Sequence, residues 1–360
     1  MIGTSQRRAI LSSRRSRADD LRALLGNYQG LFLDFTDDSS TIVDLSTPAN
    51  NYRGKAFDKL TVTRASTRKR FNSAGLLEDV ASGAPAIDYD PLAKALRGYQ
   101  PEGARTNLLL NSDNLSTQSV TVTAAAHTLS FYGTGTVTLS GASVAGPLTG
   151  SVAFPTRSTL TFTPSAGTLT LTVTGTVQFA QLELGAIPSS YIPTAGATVT
   201  RAAEVCKIAT TLFPATATGP YTIFAKGIMP PTNASDSTRV PVALSIGSSP
   251  HVRYFAKIAS GNIAGTNVVS SVTDASTGNV VVAPFNPVKM AARFDLNNCN
   301  TAINGTLGTT DTACAYPSAP TQLNIGNFND GSASHWHGWI QQIAVIPVAL
   351  TDAQLQAVTS

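Results

Sequence analysis

The sequence predicts an all-β protein with two β-sandwiches behind an extended N-terminal region. Hydrophobic residues make up 42% of the 360 residues and charged residues only 13%, a balance that supplies packed cores and argues against intrinsic disorder. Residues 106–200 contain 21 threonines and alternate polar with apolar residues over much of their length. Longer apolar runs, broken by turn residues, follow in residues 201–360.

Residues 1–27 predict a basic arm followed by a short helix. Ser16 can cap the helix and Gly26 can end it, with one narrow leucine stripe between them. A basic arm and a marginal helix are typical of an anchor on a larger partner. A plain solvated terminus and a nucleic-acid contact are the alternatives, and no specific nucleic-acid-binding signature accompanies the arm. The predicted anchor residues are Arg7, Arg8, Arg14, Arg15, Arg17, Leu21, Leu24 and Leu25.

Residues 28–110 predict an extended adaptor segment. Short apolar runs are separated by prolines, and no periodic block is long enough for a core of its own. We therefore expect these strands to lie on neighbouring chains.

Residues 111–200 predict a small antiparallel β-sandwich. Asp113, Arg157 and Glu183 are its charged residues, so its outer faces carry mostly threonine. Neutral strand surfaces tend to pair at their edges unless another subunit covers them. We therefore expect a homo-oligomer with closed symmetry, a trimer being one form.

Residues 201–360 predict a larger jelly-roll-like sandwich. Predicted strands include Tyr221–Ile228 and Val288–Asp295. The pair Asn304-Gly305 is typical of a tight hairpin turn. A short helical turn capped by Thr351 is predicted near the C-terminus.

Two groups in this last segment are candidate binding residues. Aromatic and histidine side chains are candidates for contact with a glycan or a protein, or else they are structural. Asp330 with Asn329 could hold calcium, although Asn and Asp beside glycine are also ordinary turn formers. No cofactor other than this calcium is expected. The candidate contact residues are His335, Trp336, His337 and Trp339.

The positions of the carboxylates decide whether a glycosidase site is expected, and those of the cysteines decide whether a disulfide can form. No two carboxylates of residues 201–360 are spaced i, i+2 on a strand, so the acid and base pair of a glycosidase is not expected. Cys299 and Cys314 flank the predicted hairpin and can form a disulfide, although a reducing cytoplasm opposes it at first. Cys206 is expected to be free and buried.

No apolar run is long enough for a membrane-spanning helix, so membrane insertion is not expected. The first apolar stretch is too short for a signal-peptide core, and arginines follow it, so export by the ordinary secretory route is not expected.

Several phrases resemble a segment that is widespread in virion proteins of tailed phages. They are Thr63-Arg64-Ala65-Ser66, Asp88-Tyr89-Asp90-Pro91, Glu102 through Leu109, and QLELGAIPSSYIPTAGATVTRAAE at residues 181–204. Residues 205–360 resemble the laminin-G/concanavalin-like sandwich at residues 291–295, 303–305, 323–326, 338–340 and 349–355. Some members of that fold bind glycans or proteins, and others cleave glycans. The middle sandwich is shorter than is usual in the phage family and lacks its tryptophans.

This resemblance implies a non-enzymatic virion component. It would be assembled in the host cytoplasm and exposed on the released particle. Residues 1–110 would contact other phage structural proteins of the capsid, portal, collar or tail. The sandwiches would decorate the head or tail and bind host surface polysaccharide weakly, with avidity from many copies. The alternative is a tail fibre or tail adaptor that binds one receptor; a polysaccharide-degrading tailspike would need the missing carboxylate pair.

Overall fold

The computed structural model confirms the all-β class. It describes residues 30–36, 41–44, 53–55, 60–209, 219–230, 239–245, 251–257, 262–269, 272–315, 320–327 and 334–360. Within these ranges one helix accompanies the strands, and no helix is long and apolar enough to cross a membrane.

The strands before the small sandwich are β1 (Leu31–Asp34), β2 (Thr41–Asp44), β3 (Arg53–Lys55), β4 (Thr61–Thr63), β5 (Arg68–Phe71), β6 (Leu77–Val80), β7 (Ile87–Tyr89), β8 (Leu96–Tyr99) and β9 (Arg105–Asn107). Those of the small sandwich are β10 (Gln118–Val122), β11 (His127–Tyr132), β12 (Thr136–Gly141), β13 (Leu148–Thr149), β14 (Arg157–Phe162), β15 (Gly167–Thr174) and β16 (Gln178–Leu184). The remaining elements are β17 (Val199–Arg201), β18 (Val205–Ala209), β19 (Tyr221–Ile228), β20 (Val242–Ser245), β21 (His251–Lys257), β22 (Asn262–Val269), β23 (Val272–Val281), β24 (Pro287–Phe294), β25 (Asn300–Ile303), β26 (Thr306–Leu307), β27 (Gln322–Ile325), β28 (Trp339–Ile346) and α1 (Asp352–Thr359).

The large sandwich consists of two sheets over one core. The first has the order β26-β25-β24-β19-β28-β1-β2-β3, with β8 also pairing with β28 and β7 with β8. The second has the order β23-β22-β21-β20-β27-β18-β4. Both sheets contribute fully buried side chains to the core between them, among them Leu33, Ile223, Leu244, Ile325 and Ile343. Apolar burial of this kind is the main force that holds two sheets face to face.

Strands β1–β4, β7 and β8 belong to the two sheets of this large sandwich, which corrects the expected adaptor segment. Strand β1 pairs antiparallel with β28, from Leu31 opposite Val345 to Asp34 opposite Gln342. Strand β4 pairs with β18 in the other sheet. All four residues of β1 are buried. These strands are too short to form a core themselves. The partner of β1 lies about three hundred residues later in the same chain, and that of β4 about 140 residues later.

The small sandwich is inserted between two strands of the rest of the chain. Its sheets have the orders β10-β15-β12-β13 and β14-β11-β16, and they enclose a separate apolar core. Strand β9, which leads into it, pairs antiparallel with β17, which leads out, from Asn107 opposite Val199 to Arg105 opposite Arg201. The expectation of consecutive units is therefore replaced by an insertion whose two connections lie side by side.

Two local predictions near the C-terminus are confirmed. Asn304 and Gly305 both adopt positive φ, 46° and 77°, and form the turn between β25 and β26. Thr351 caps α1: its side chain accepts a hydrogen bond from the Gln354 backbone, while the Gln354 side chain accepts one from the Thr351 backbone.

Candidate functional site

A buried carboxylate, Glu102, lies where the two sandwiches join. Its Oε2 is 2.7 Å from Arg68 Nη2 and 2.8 Å from Arg201 Nη1. Ser190 donates its backbone N–H to Oε1 at 2.9 Å and its hydroxyl to Oε2 at 2.6 Å. Burial acts to raise the pKa of Glu102, but Arg201 and Arg68 outweigh it and hold this pKa well below its usual range. Glu102 is therefore a charged carboxylate whose two oxygens are both held by protein groups.

A second buried ion pair, between Arg64 and Glu204, lies beside the first. Arg64 also donates to the carbonyl oxygens of Ala81 at 2.6 Å and Ala84 at 3.0 Å. The Glu204 backbone N–H donates to the Glu102 carbonyl at 2.9 Å, which joins the two pairs. Removing one partner from such a pair leaves an uncompensated buried charge. The two pairs thus fix the segments around β4–β5 to the segment that leaves the small sandwich.

Neutral hydrogen bonds extend this network into the small sandwich. The Asn107 amide donates to the carbonyl oxygens of Ala180 at 3.0 Å and Ile192 at 2.9 Å. The Tyr191 hydroxyl donates to Asp113 Oδ1 at 2.6 Å. Buried polar groups with their hydrogen bonds satisfied hold a single arrangement. We call these ion pairs and hydrogen bonds together the junction.

The junction brings together residues of three of the four phrases singled out in the sequence analysis. Arg64 comes from the first phrase, Glu102 and Asn107 from the third, and Tyr191 and Arg201 from the fourth. These phrases are far apart in the sequence and meet in one buried place. Arg64, Glu102 and Arg201 thus serve the connection between the sandwiches.

The predicted aromatic and histidine contact site is not on the surface, which corrects that expectation. Trp336 is 1% exposed, Trp339 5% and His335 6%, while His337 is partly buried. Trp339 donates its indole N–H to Asp88 Oδ2 at 2.9 Å. Burial lowers the pKa of His335 to about 4. Both tryptophans belong to the interior, because the start of β28 packs against the segment that contains Asp88, and so neither ring can stack on an external sugar.

The other predicted sites have different outcomes. Cys299 and Cys314 form a disulfide with Cα atoms 6.4 Å apart, and Cys206 is free and buried. Asp330 and Asn329 lie outside the described residues, as do all the predicted anchor residues, Arg7, Arg8, Arg14, Arg15, Arg17, Leu21, Leu24 and Leu25. In the described ranges, no three His, Cys, Asp or Glu side chains are grouped so that they could hold a metal ion.

The sequence analysis missed an aromatic cleft beside the junction. The cleft has a volume of about 480 Å³ and lies between the β5–β6 hairpin and the small sandwich. Phe179 is central to its aromatic wall, with ring centroids 5.5 Å from Phe154 and 5.4 Å from Tyr191, both in edge-to-face geometry. The residues that line the cleft are Lys69, Leu76, Leu77, Asp113, Phe154, Gln178, Phe179, Tyr191 and Pro193.

A β-bulge positions the central ring. Along β11 and β16, Ser130 pairs with Gln181 and Tyr132 with Gln178, so β16 has one residue more than β11 between these pairs. Phe179 lies in this bulge with φ of 47°. A left-handed backbone is unfavourable for a bulky residue, and bulges turn a side chain away from the regular alternation. In the sequence, the feature that pointed towards this cleft was the aromatic residue Tyr191 in the phrase at residues 181–204.

No protein-family model and no curated protein matches the chain. Among solved structures, the chain is similar to a Trypanosoma rangeli sialidase in complex with the inhibitor DANA, with 9% identity, a TM-score of 0.31 and coverage of 43% of this chain and 27% of that chain. A heptameric SAP-like pentraxin from Limulus polyphemus matches with 14% identity, a TM-score of 0.32 and coverage of 41% of this chain and 72% of the pentraxin chain. The receptor-binding domain of botulinum neurotoxin type G matches with 12% identity, a TM-score of 0.32 and coverage of 42% and 38%. The chain thus spans about a quarter of the sialidase chain, and matches of this extent assign no function.

Proposed function

We propose that the protein is a non-enzymatic structural component of a tailed-phage virion. Its N-terminal region attaches it to other particle proteins, and its two sandwiches are displayed outward for decoration and weak adhesion to host surface glycans. The chain is assembled in the host cytoplasm and exposed on the released particle. Symmetric assembly of several copies supplies avidity to weak single contacts.

The observation that carries this proposal is the junction built from the phage-like phrases. Arg64, Glu102 and Arg201 are each engaged in buried ion pairs, so their phrases serve to hold the inserted sandwich in a fixed relation to the large one. A displayed adhesin needs such a connection because it must keep a binding surface oriented away from its attachment.

The engaged state of the buried carboxylates supports a non-enzymatic role. Glu102 forms ion pairs with Arg68 and Arg201 and accepts hydrogen bonds from Ser190, and Glu204 is paired with Arg64. A general acid or base must exchange a proton with a substrate at its site. These two carboxylates are held in structural pairs instead.

Quantitative mass spectrometry of purified virions from the encoding phage tests the proposal. We expect the chain in many copies per particle, retained after high-salt washing and density-gradient purification. Its absence from purified particles, with abundance only in the infected-cell lysate, would contradict the proposal. A known major capsid protein and a non-virion phage enzyme serve as the positive and negative controls.

A tail fibre or tail adaptor that binds a receptor is the second candidate. The aromatic cleft favours it, because the cleft offers rings and polar groups in a concave surface. A copy number equal to that of tail proteins, rather than to that of capsid proteins, would select this candidate.

A further inference from the structure

The aromatic cleft has the size and position of a small-molecule site. Its volume of about 480 Å³ lies within the range of ordinary ligand pockets. One wall is the β5–β6 hairpin, with Lys69, Leu76 and Leu77, and the opposite wall belongs to the small sandwich. Sites between two structural units are a common location for ligand binding.

Two of the aromatic rings that line the cleft remain partly exposed to solvent. Phe154 and Phe179 are half-buried, and Tyr191 is buried with its hydroxyl held by Asp113. The Phe71 ring contacts the Phe154 ring, with 6.0 Å between their centroids. The bulge keeps Phe179 in an unfavourable left-handed conformation at the edge of the cleft. Strain of this kind persists where the surrounding structure over-determines it, often at binding sites.

The lining of the cleft contains one basic and one acidic side chain, Lys69 and Asp113, and one amide, Gln178. Lys69 is paired with Asp79 at 2.9 Å and keeps further N–H donors, since an ammonium group has three. Asp113 is exposed, and one of its oxygens accepts from Tyr191. Gln178 adds an amide, which both donates and accepts. A ligand that matches this lining is neutral, has an apolar face for the rings and carries hydroxyl groups at its rim.

We propose that this cleft binds a neutral pyranose disaccharide unit of a glycan. One sugar ring packs its C–H face on Phe179 and Phe154, while its hydroxyl groups exchange hydrogen bonds with Asp113 and Gln178. Lys69 donates to a further hydroxyl from the opposite wall. This site deepens the adhesion part of the proposed function and rests on it only for the natural source of the glycan.

Saturation-transfer NMR and calorimetric titration of the full chain test the site. The probes are maltose, cellobiose, lactose and N,N′-diacetylchitobiose. We expect at least one of them to bind with millimolar affinity. Phe179→Ala should weaken that binding about tenfold, since it removes the stacked ring. Asp113→Asn, an exposed change, should weaken it measurably without altering the fold.

The matched control is Phe285→Ala. Phe285 is also a phenylalanine with positive φ, 60°, and it is 57% exposed but does not line the cleft. Its substitution should leave sugar binding unchanged, and circular dichroism checks that each variant is folded. The proposal is overturned if none of the four sugars binds, or if binding is unchanged in both Phe179→Ala and Asp113→Asn.

The two proposals can fail separately. If the chain is abundant in virions but no sugar binds, the cleft proposal fails alone. If a sugar binds in the cleft but the chain is absent from virions, the virion proposal fails and the binding site stands.

Discussion

Replacing Glu102 with glutamine should destabilise the fold strongly. The change preserves size but removes the negative charge that Arg68 and Arg201 share at 2.7 and 2.8 Å. Glu102 is 1% exposed, so water cannot compensate the two guanidinium groups. Breaking a buried ion pair in this way costs about 3–5 kcal/mol. We expect the free energy of unfolding of Glu102→Gln to fall by this amount.

Urea unfolding followed by tryptophan fluorescence measures this loss. Trp336 and Trp339 are both buried and report on the large sandwich. The control is Glu78→Gln, which breaks a pair with Arg70 whose side chains are 35% and 27% exposed. Such a pair contributes about 0–1 kcal/mol. If Glu102→Gln costs no more than Glu78→Gln, the junction does not stabilise the fold as described.

Three further predictions concern stability. Burial lowers the pKa of His335 from 6.5 to about 4, so about 3 kcal/mol of stability is lost as the pH falls from 6.5 towards 4. Burial also lowers the pKa of His337, so His335→Gln should flatten this part of a pH series of urea titrations only in part, and an unchanged profile would refute the assignment. Cys299→Ser should lower the free energy of unfolding by about 3 kcal/mol, because the disulfide closes a loop of 15 residues. A reducing agent should lower the melting temperature of the unmodified protein but not that of this variant. Gly326→Ala should lower the free energy of unfolding by about 2 kcal/mol or more, since its φ is 81° and a Cβ would overlap the ring of Pro101. The control Gly196→Ala, which has open space around the new Cβ, should melt like the unmodified protein. Equal melting temperatures for the two variants would count against the close packing of Gly326 on Pro101.

Local elements were predictable, but their partners were not. The apolar run at residues 221–228 predicts β19 with its observed bounds, and the Asn304-Gly305 turn has the predicted conformation. The run Leu31–Asp34 is also recognisable as a strand. Its place next to β28 depends on pairing across some three hundred residues, and local periodicity contains no information on that pairing.

The absence of long-range pairing information in the local sequence also explains why the burial of the tryptophans and the aromatic cleft were not predicted. The sequence left Trp336 and Trp339 as either contact residues or structural residues, because their burial depends on segments far away in the sequence. The cleft is formed by residues from four separate parts of the chain, near positions 69–77, 113, 154 and 178–193. The charges of Arg64, Glu102 and Glu204 are visible in the sequence, but their pairing with opposite charges is visible only in the folded arrangement.

Cryo-electron microscopy of purified virions tests the central proposal most directly. The map should contain density for both sandwiches in many symmetric copies, with the N-terminal end of the chain towards the particle and the aromatic cleft facing outward. Particles without this density, or with the cleft buried against the shell, would contradict the account.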